Sequence, residues 1–155
     1  YAQQLEMESI GKQPNKNSLF QKTGQIVFGG FGSTAQHSYF QLLHQGTSGF
    51  CADIIYSTSS DSPLSSAQAQ GQSFLLSSEL KSSNNPLEQT NSNSPVNLFH
   101  LNTLSLSSLG FLLATWEHRV FITASMLQIN PFDQYGVSAG KIFARKYLES
   151  NGGWS

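Results

Sequence analysis

Leu104 to Ile129 is the longest apolar stretch of the chain, and it limits the possible folds more than any other segment. About 20 apolar residues suffice to cross a bilayer, so a membrane span has to be weighed against a core helix. Glu117, His118 and Arg119 stand at the centre of the stretch, where charge is expensive in lipid. The stretch therefore reads as a long buried helix with one polar patch.

The segments before it set the fold class. Gln25 to Gly30 is β-rich and ends in glycines, the pattern of a buried strand running into a turn. Ser33 or Thr34 can cap a following helix whose apolar face is Tyr39, Phe40, Leu42 and Leu43, with Gly46 as its stop. Phe50 to Tyr56 predicts a second strand, closed by the Ser/Thr/Asp cluster from Ser57 to Ser62. A helix over Ser65 to Lys81 comes next, then a Ser/Asn-rich loop over Ser82 to Ser94 containing Pro86. Val96 to Leu101 predicts a third strand, and Gln134 to Leu148 a last helix before the tail Asn151-Gly152-Gly153-Trp154. Strands alternating with helices imply an α/β fold with a mostly parallel sheet and helices on both faces, a three-layer αβα sandwich. Catalytic groups in such folds gather at the carboxyl ends of strands, which here points to Gly30–Thr34 and Ser57–Ser62.

Composition narrows the function classes. The 155 residues suit one domain with a real core. Charged residues make up 11% and the formal net charge is −1, so nothing electrostatic favours nucleic acid or an anionic membrane as partner. Cys51 is the single cysteine, which excludes a disulfide within the chain and fits a reducing cytoplasm. It lies in the apolar run before Tyr56 and is expected to be a buried, inert thiol. No Cys/His cluster suggests zinc. No glycine-rich loop ends in the Lys-Ser/Thr of a nucleotide site. The first residues show no basic region followed by an apolar run, so no signal peptide is visible in them. The chain opens on Tyr1 inside what looks like a functional motif, and is expected to be part of a longer protein.

Three short strings carry the candidate chemistry. Gln4-Leu5-Glu6-Met7-Glu8-Ser9-Ile10-Gly11-Lys12 offers the carboxylate of Glu8, which by itself reads as a solvated surface group. Gly32-Ser33-Thr34-Ala35-Gln36-His37 offers His37, expected in the first turn of its helix, where the helix dipole disfavours imidazolium. Pro131 to Lys141 offers Gln134 and Lys141, seven residues apart on one helix face and about 10 Å along its axis. His44 has the wrong spacing from His37 for a shared metal and reads as structural. His100 has no partner pattern.

Together these strings resemble the C-terminal part of the glucose-6-phosphate isomerase family, across about nine-tenths of the chain. Met7-Glu8-Ser9-x-Gly11-Lys12 is similar to the family's base segment, and Phe132-Asp133-Gln134-x-Gly136-Val137-x-x-Gly140-Lys141 to its C-terminal signature. Trp116-Glu117-His118-Arg119-Val120-Phe121 matches a family helix in which His118 is core architecture and Glu117 and Arg119 are paired or bonded to backbone. The resemblance implies a sugar isomerase (SIS-type) domain that is incomplete here, with residues 1–130 belonging to that large domain and 131–155 forming a helix and tail that carry site residues. It implies a cofactor-free aldose–ketose isomerase of the second step of glycolysis, cytoplasmic and homodimeric, acting on glucose 6-phosphate and fructose 6-phosphate. Glu8 would shuttle the C1/C2 proton through a cis-enediolate, poised near neutrality by partial burial. His37, reaching the neighbouring subunit, and Lys141 would assist ring opening. Gln4 would line the pocket and Gln134 would hold the phosphate.

The family's phosphate loop and enediolate-stabilising Arg would lie upstream of residue 1, so the chain alone is expected to be inactive. Ile10, Gly30, Ala35 and Ser138 depart from the family's strings, and Ser92 to Asn97 lacks an expected Arg. A diverged, non-catalytic sugar-phosphate-binding regulator is the alternative those departures leave open.

Overall fold

The computed structural model describes residues 1–79 and 83–150. In chain order these form α1 (Ala2–Ile10), α2 (Gly32–Gln36), α3 (Phe40–Gln45), β1 (Ala52–Ser57), α4 (Pro63–Ser77), a 3-10 turn (Pro86–Glu88), β2 (Val96–Leu101), α5 (Leu106–Leu127) and α6 (Tyr135–Glu149). The expected tail at Asn151 to Trp154, the end of the expected fourth-segment helix at Lys81, and Ser82 lie outside the described residues. Two compact units divide the chain: residues 1–28 with 112–155, and residues 29–111.

The second unit holds the sheet. β1 and β2 pair in parallel, from Ala52 opposite Val96 to Ser57 opposite Leu101, and α4 packs on both strands. Ile54 beside Ile55, and Leu98 beside Phe99, put apolar side chains on both faces, the pattern of an α/β strand rather than a half-solvated one. Ser62 caps α4 by accepting from the Ser65 amide at 3.1 Å, and Pro63 occupies the first helical position, where its missing N–H costs nothing. The α/β class and the parallel pairing are as the sequence predicts.

The expected strand at Gln25 to Gly30 does not form. A strand needs a neighbour for its backbone groups, and these residues have no ladder partner among the described residues. The segment is instead held by side chains of α1: Gln3 Nε2 donates to the Val27 carbonyl at 2.7 Å, and Gln25 Nε2 donates to Glu6 Oε2 at 2.9 Å. Gly30 to Thr34 therefore follows no strand. Of the two expected catalytic loops, only Ser57–Ser62 leaves the carboxyl end of a strand.

The expected helix across residues 33–45 is broken in two. Gly32, Ser33 and Thr34 are poor helix formers, and α2 closes with Ser38 N donating to Ala35 O at 3.0 Å, an i→i−3 bond that tightens and ends the turn. Its N-cap is Phe31, with no side-chain cap from Ser33 or Thr34. Gly46 ends α3 as expected, and a Cβ there would sit 2.5 Å from the Leu42 carbonyl oxygen. Cys51 precedes β1 rather than lying within it, and is exposed, not buried.

In the first unit Ile10, Val120 and Ala124 form a buried cluster with Leu5, Leu127 and Ile129 packed around it, so α1 is seated on the second half of α5. α5 is less buried than its composition predicts: Leu112, Val120 and Ala124 are its buried residues, while Phe121, Ile122 and Met126 are exposed. Among the described residues no helix is long and apolar enough to cross a membrane.

Candidate active site

The site lies in the first unit and begins with the rotation of α1. Positions two apart on a helix point to different sides. Glu6 is turned inward, its side chain only 5% exposed, where Oε1 accepts from Arg119 Nε at 3.1 Å and Nη2 at 2.6 Å and Oε2 accepts from Gln25. Glu8 is thereby turned outward. It lines a cavity of about 660 Å³ together with Met7, Gly11 and Lys12 from the end of α1, Asp133 and Gln134 from the segment before α6, and Tyr135 and Gly136 from its first turn.

Glu8 is exposed, so the partial burial expected of the base is not supplied by these residues. Gln4 Nε2 stands 3.4 Å from Glu8 Oε1, one turn earlier on the same face. Gln134 is the N-cap of α6 rather than a residue within it, and its Nε2 reaches the Phe132 carbonyl at 3.5 Å. Lys141 is exposed, makes no side-chain hydrogen bond or ion pair among the described residues, and does not line the cavity. The structure thus brings Glu8 and Gln134 together, with Gln4 against Glu8.

His37 belongs to the second unit and sits at the C-cap of α2, not in a first helical turn. The helix break described above therefore removes the first-turn position on which the expected dipole effect rested. His44 is structural as expected, with Nε2 2.6 Å from Gln72 Oε1. His118 is exposed rather than part of a core, its Nδ1 2.6 Å from the Ala114 carbonyl. Glu117 and Arg119 are not paired with each other, because neighbours two apart diverge around a helix. Arg119 goes to Glu6, and Glu117 accepts from the Tyr1 hydroxyl, which holds that phenol above its ordinary 10.0.

Two residues of the quoted strings gain roles that their sequence did not disclose. Gly11 is needed because a Cβ there would sit 2.3 Å from the Met7 carbonyl oxygen. Ile10, a departure from the resembled string, is buried in the α1–α5 cluster and does not line the cavity. The Glu6–Arg119 pair escaped sequence reasoning altogether; its only advance signal was an acidic residue on the apolar side of α1. Among the described residues no group of three or more His, Cys, Asp or Glu could hold a metal ion.

Comparison with known proteins is consistent along the whole chain. The family model for phosphoglucose isomerase matches residues 1–152. A glucose-6-phosphate isomerase of Legionella pneumophila (strain Lens) is 39% identical over 153 residues, which are 97% of this chain and 31% of that protein. One from Shewanella frigidimarina is 35% identical across 98% of this chain and 33% of its own length. The crystal structure of a glucose-6-phosphate isomerase from Chlamydia trachomatis superposes with a TM-score of 0.78 at 30% identity, over 99% of this chain and 32% of that one. The chain spans about a third of the length of the curated relatives it matches.

Proposed function

The chain belongs to the phosphoglucose isomerase family, and we propose that it supplies one wall of the active site of an enzyme interconverting glucose 6-phosphate and fructose 6-phosphate. The observation that carries this reading is a cavity lined both by Glu8 from one motif and by Gln134 from the other. Glu8 takes the C2 proton of the open-chain aldose, leaving a cis-enediolate, and returns it to C1 to give the ketose. The net change carries the C2 proton to C1 and the O2 hydroxyl proton to O1 while electrons redistribute within the sugar, so it consumes no redox partner. Gln4 orients the Glu8 carboxylate, and Gln134 donates to the phosphate. His37 and Lys141 exchange protons with the ring oxygen during opening.

In this reading residues 1–130 belong to the large sugar isomerase domain and 131–155 to the helix and tail that complete the site. The remaining walls, including the phosphate grip, come from the rest of a protein of the relatives' length. The 155 residues by themselves are therefore inactive. The enzyme is a cytoplasmic homodimer in which His37 serves the neighbouring subunit's site.

Glu8→Gln in the full-length protein tests the assignment. Isomerisation should fall by at least about 100-fold, the scale of a lost general base, while the affinity for sugar phosphate changes by no more than about threefold. Loss of binding instead would make Glu8 structural. A wild-type protein that binds sugar phosphate and does not turn it over would be the regulatory alternative.

A further inference from the structure

We propose that Lys12 is a positioning residue, a strap that sets the distance between the Glu8 end of α1 and the Gln134 wall of the cavity. The inference rests on Glu8 as base and Gln134 as substrate contact. Lys12 and Asp133 come from the two motifs that flank nearly the whole chain, yet neither has a role in the proton transfer. In the fold they meet. Lys12 Nζ donates to the Glu8 carbonyl at 2.5 Å and to the Asp133 carbonyl, and lies 3.7 Å from Asp133 Oδ1. Its side chain is only 13% exposed. The Lys12 carbonyl in turn accepts from Thr23 Oγ1, and its amide donates to Ile10 O at 2.8 Å, so both ends of the residue are held.

The ammonium is thus spent on protein groups. Two of its three donors meet main-chain carbonyls, and the carboxylate 3.7 Å away adds an ion pair rather than a third hydrogen bond. One of those carbonyls belongs to the proposed base itself, and the other to the residue immediately before Gln134. A bolt between these two points controls how far the carboxylate stands from the substrate's phosphate anchor. The chemistry is sensitive to that distance: a misplacement of about 1 Å can cost about 100-fold in rate.

Two plainer roles compete. Lys12 also sits at the C-terminus of α1, where any cation satisfies orphan carbonyls and complements the dipole. It also lines the cavity, where an ammonium could touch a phosphate. Kinetics separate the three. In the full-length protein Lys12→Met should lower kcat by about 10- to 100-fold, with KM within about threefold of wild type. Asp133→Asn keeps the carbonyl contact and loses only the long ion pair, so it should lower kcat by about threefold.

Carrying both changes should do no further harm than Lys12→Met alone, since residues sharing one interaction are not additive. A KM raised about tenfold at constant kcat would make Lys12 a ligand contact and overturn the proposal. Lowered thermal stability with unchanged kinetics would make it a helix cap and overturn it equally, as would fully multiplicative losses. If Glu8→Gln keeps its activity, the base assignment fails by itself. The strap then stands or falls on amide hydrogen exchange, which in Lys12→Met must quicken by about tenfold together at residues 11–12 and 133–134. Quickening at one end alone, or at neither, rejects it.

Discussion

The residue that decides how α1 presents Glu8 is Glu6. A carboxylate this buried is tolerated because both oxygens are occupied, one by a forked Arg119 contact and one by Gln25. Removing the cation leaves Glu6 charged beside a single amide donor. Arg119→Ala should therefore destabilise the fold by about 2–3 kcal/mol, below the 3–5 of a fully buried pair because the guanidinium is partly exposed. Glu6→Gln keeps an acceptor and frees an arginine that water can reach, so about 1–2 kcal/mol is expected. Denaturant titration of both variants checks the order; a more damaging Glu6→Gln would mean that the charge itself, and not its desolvation, governs the site. Tyr1 offers a pH counterpart. Its phenol is raised by the Glu117 hydrogen bond, so the protonated form is the one the fold favours. That contribution is complete below pH 10 and is lost as pH rises through the raised value. Tyr1→Phe should erase the alkaline difference in stability; an unchanged alkaline limb would show that the bond is not formed in solution.

At the scale of elements, the end of α5 carries the clearest local strain. Gln128 has φ +58°, a left-handed conformation that suits glycine, and Ile129 N closes the helix by donating to Ala124 O at 3.0 Å. A side chain there costs about 1–2 kcal/mol, offset in part by the extra unfolded-state entropy of glycine. Gln128→Gly should raise stability by about 0.5–1 kcal/mol, read as a higher melting temperature; a lower one would show that the Gln128 side chain contributes contacts worth more than the strain. The same contrast explains what was legible in the sequence. β2 spans the residues its pattern predicts, and α4 and α6 start within two residues of expectation, because Ser62-Pro63 and the glycine and proline punctuation around them act locally. Gln25 to Gly30 failed as a strand because its existence depends on a neighbour that periodicity cannot reveal. The helix through His37 failed because a run of weak formers outweighed its apolar face. Glu6 and Arg119 stand 113 residues apart, beyond any local signal. Glu8 and Gln134 were legible as candidate site residues only through the resemblance of their motifs; their shared cavity came from the fold.

For the whole molecule, area is the informative quantity. A folded body of 17.0 kDa exposes about 7,700 Å², and two bodies of half that mass about 9,300 Å² together. The chain exposes 11231 Å², so even counted as two independent units it leaves roughly 1,900 Å² more in water than finished domains of this size. The excess is apolar where it can be named: Phe111, Phe121, Ile122 and Met126 on α5, and Ile142, Phe143 and Leu148 on α6, are all more than half exposed. Patches beyond a few hundred Å² are rare on monomers and mark surfaces that other protein covers. A helix as apolar as α5 gains its stability from burial, not from propensity. The same two thirds of a relative-length protein that would close the site over Glu8 would therefore also cover these helices, and catalysis and stability should be lost together. The 155-residue chain expressed alone should bind a hydrophobic dye such as ANS, elute as an associated species in size-exclusion chromatography, and show no turnover of glucose 6-phosphate. A dye-silent monomer that melts cooperatively would show that these helices need no cover, and turnover by it would show that the proposed missing walls are dispensable.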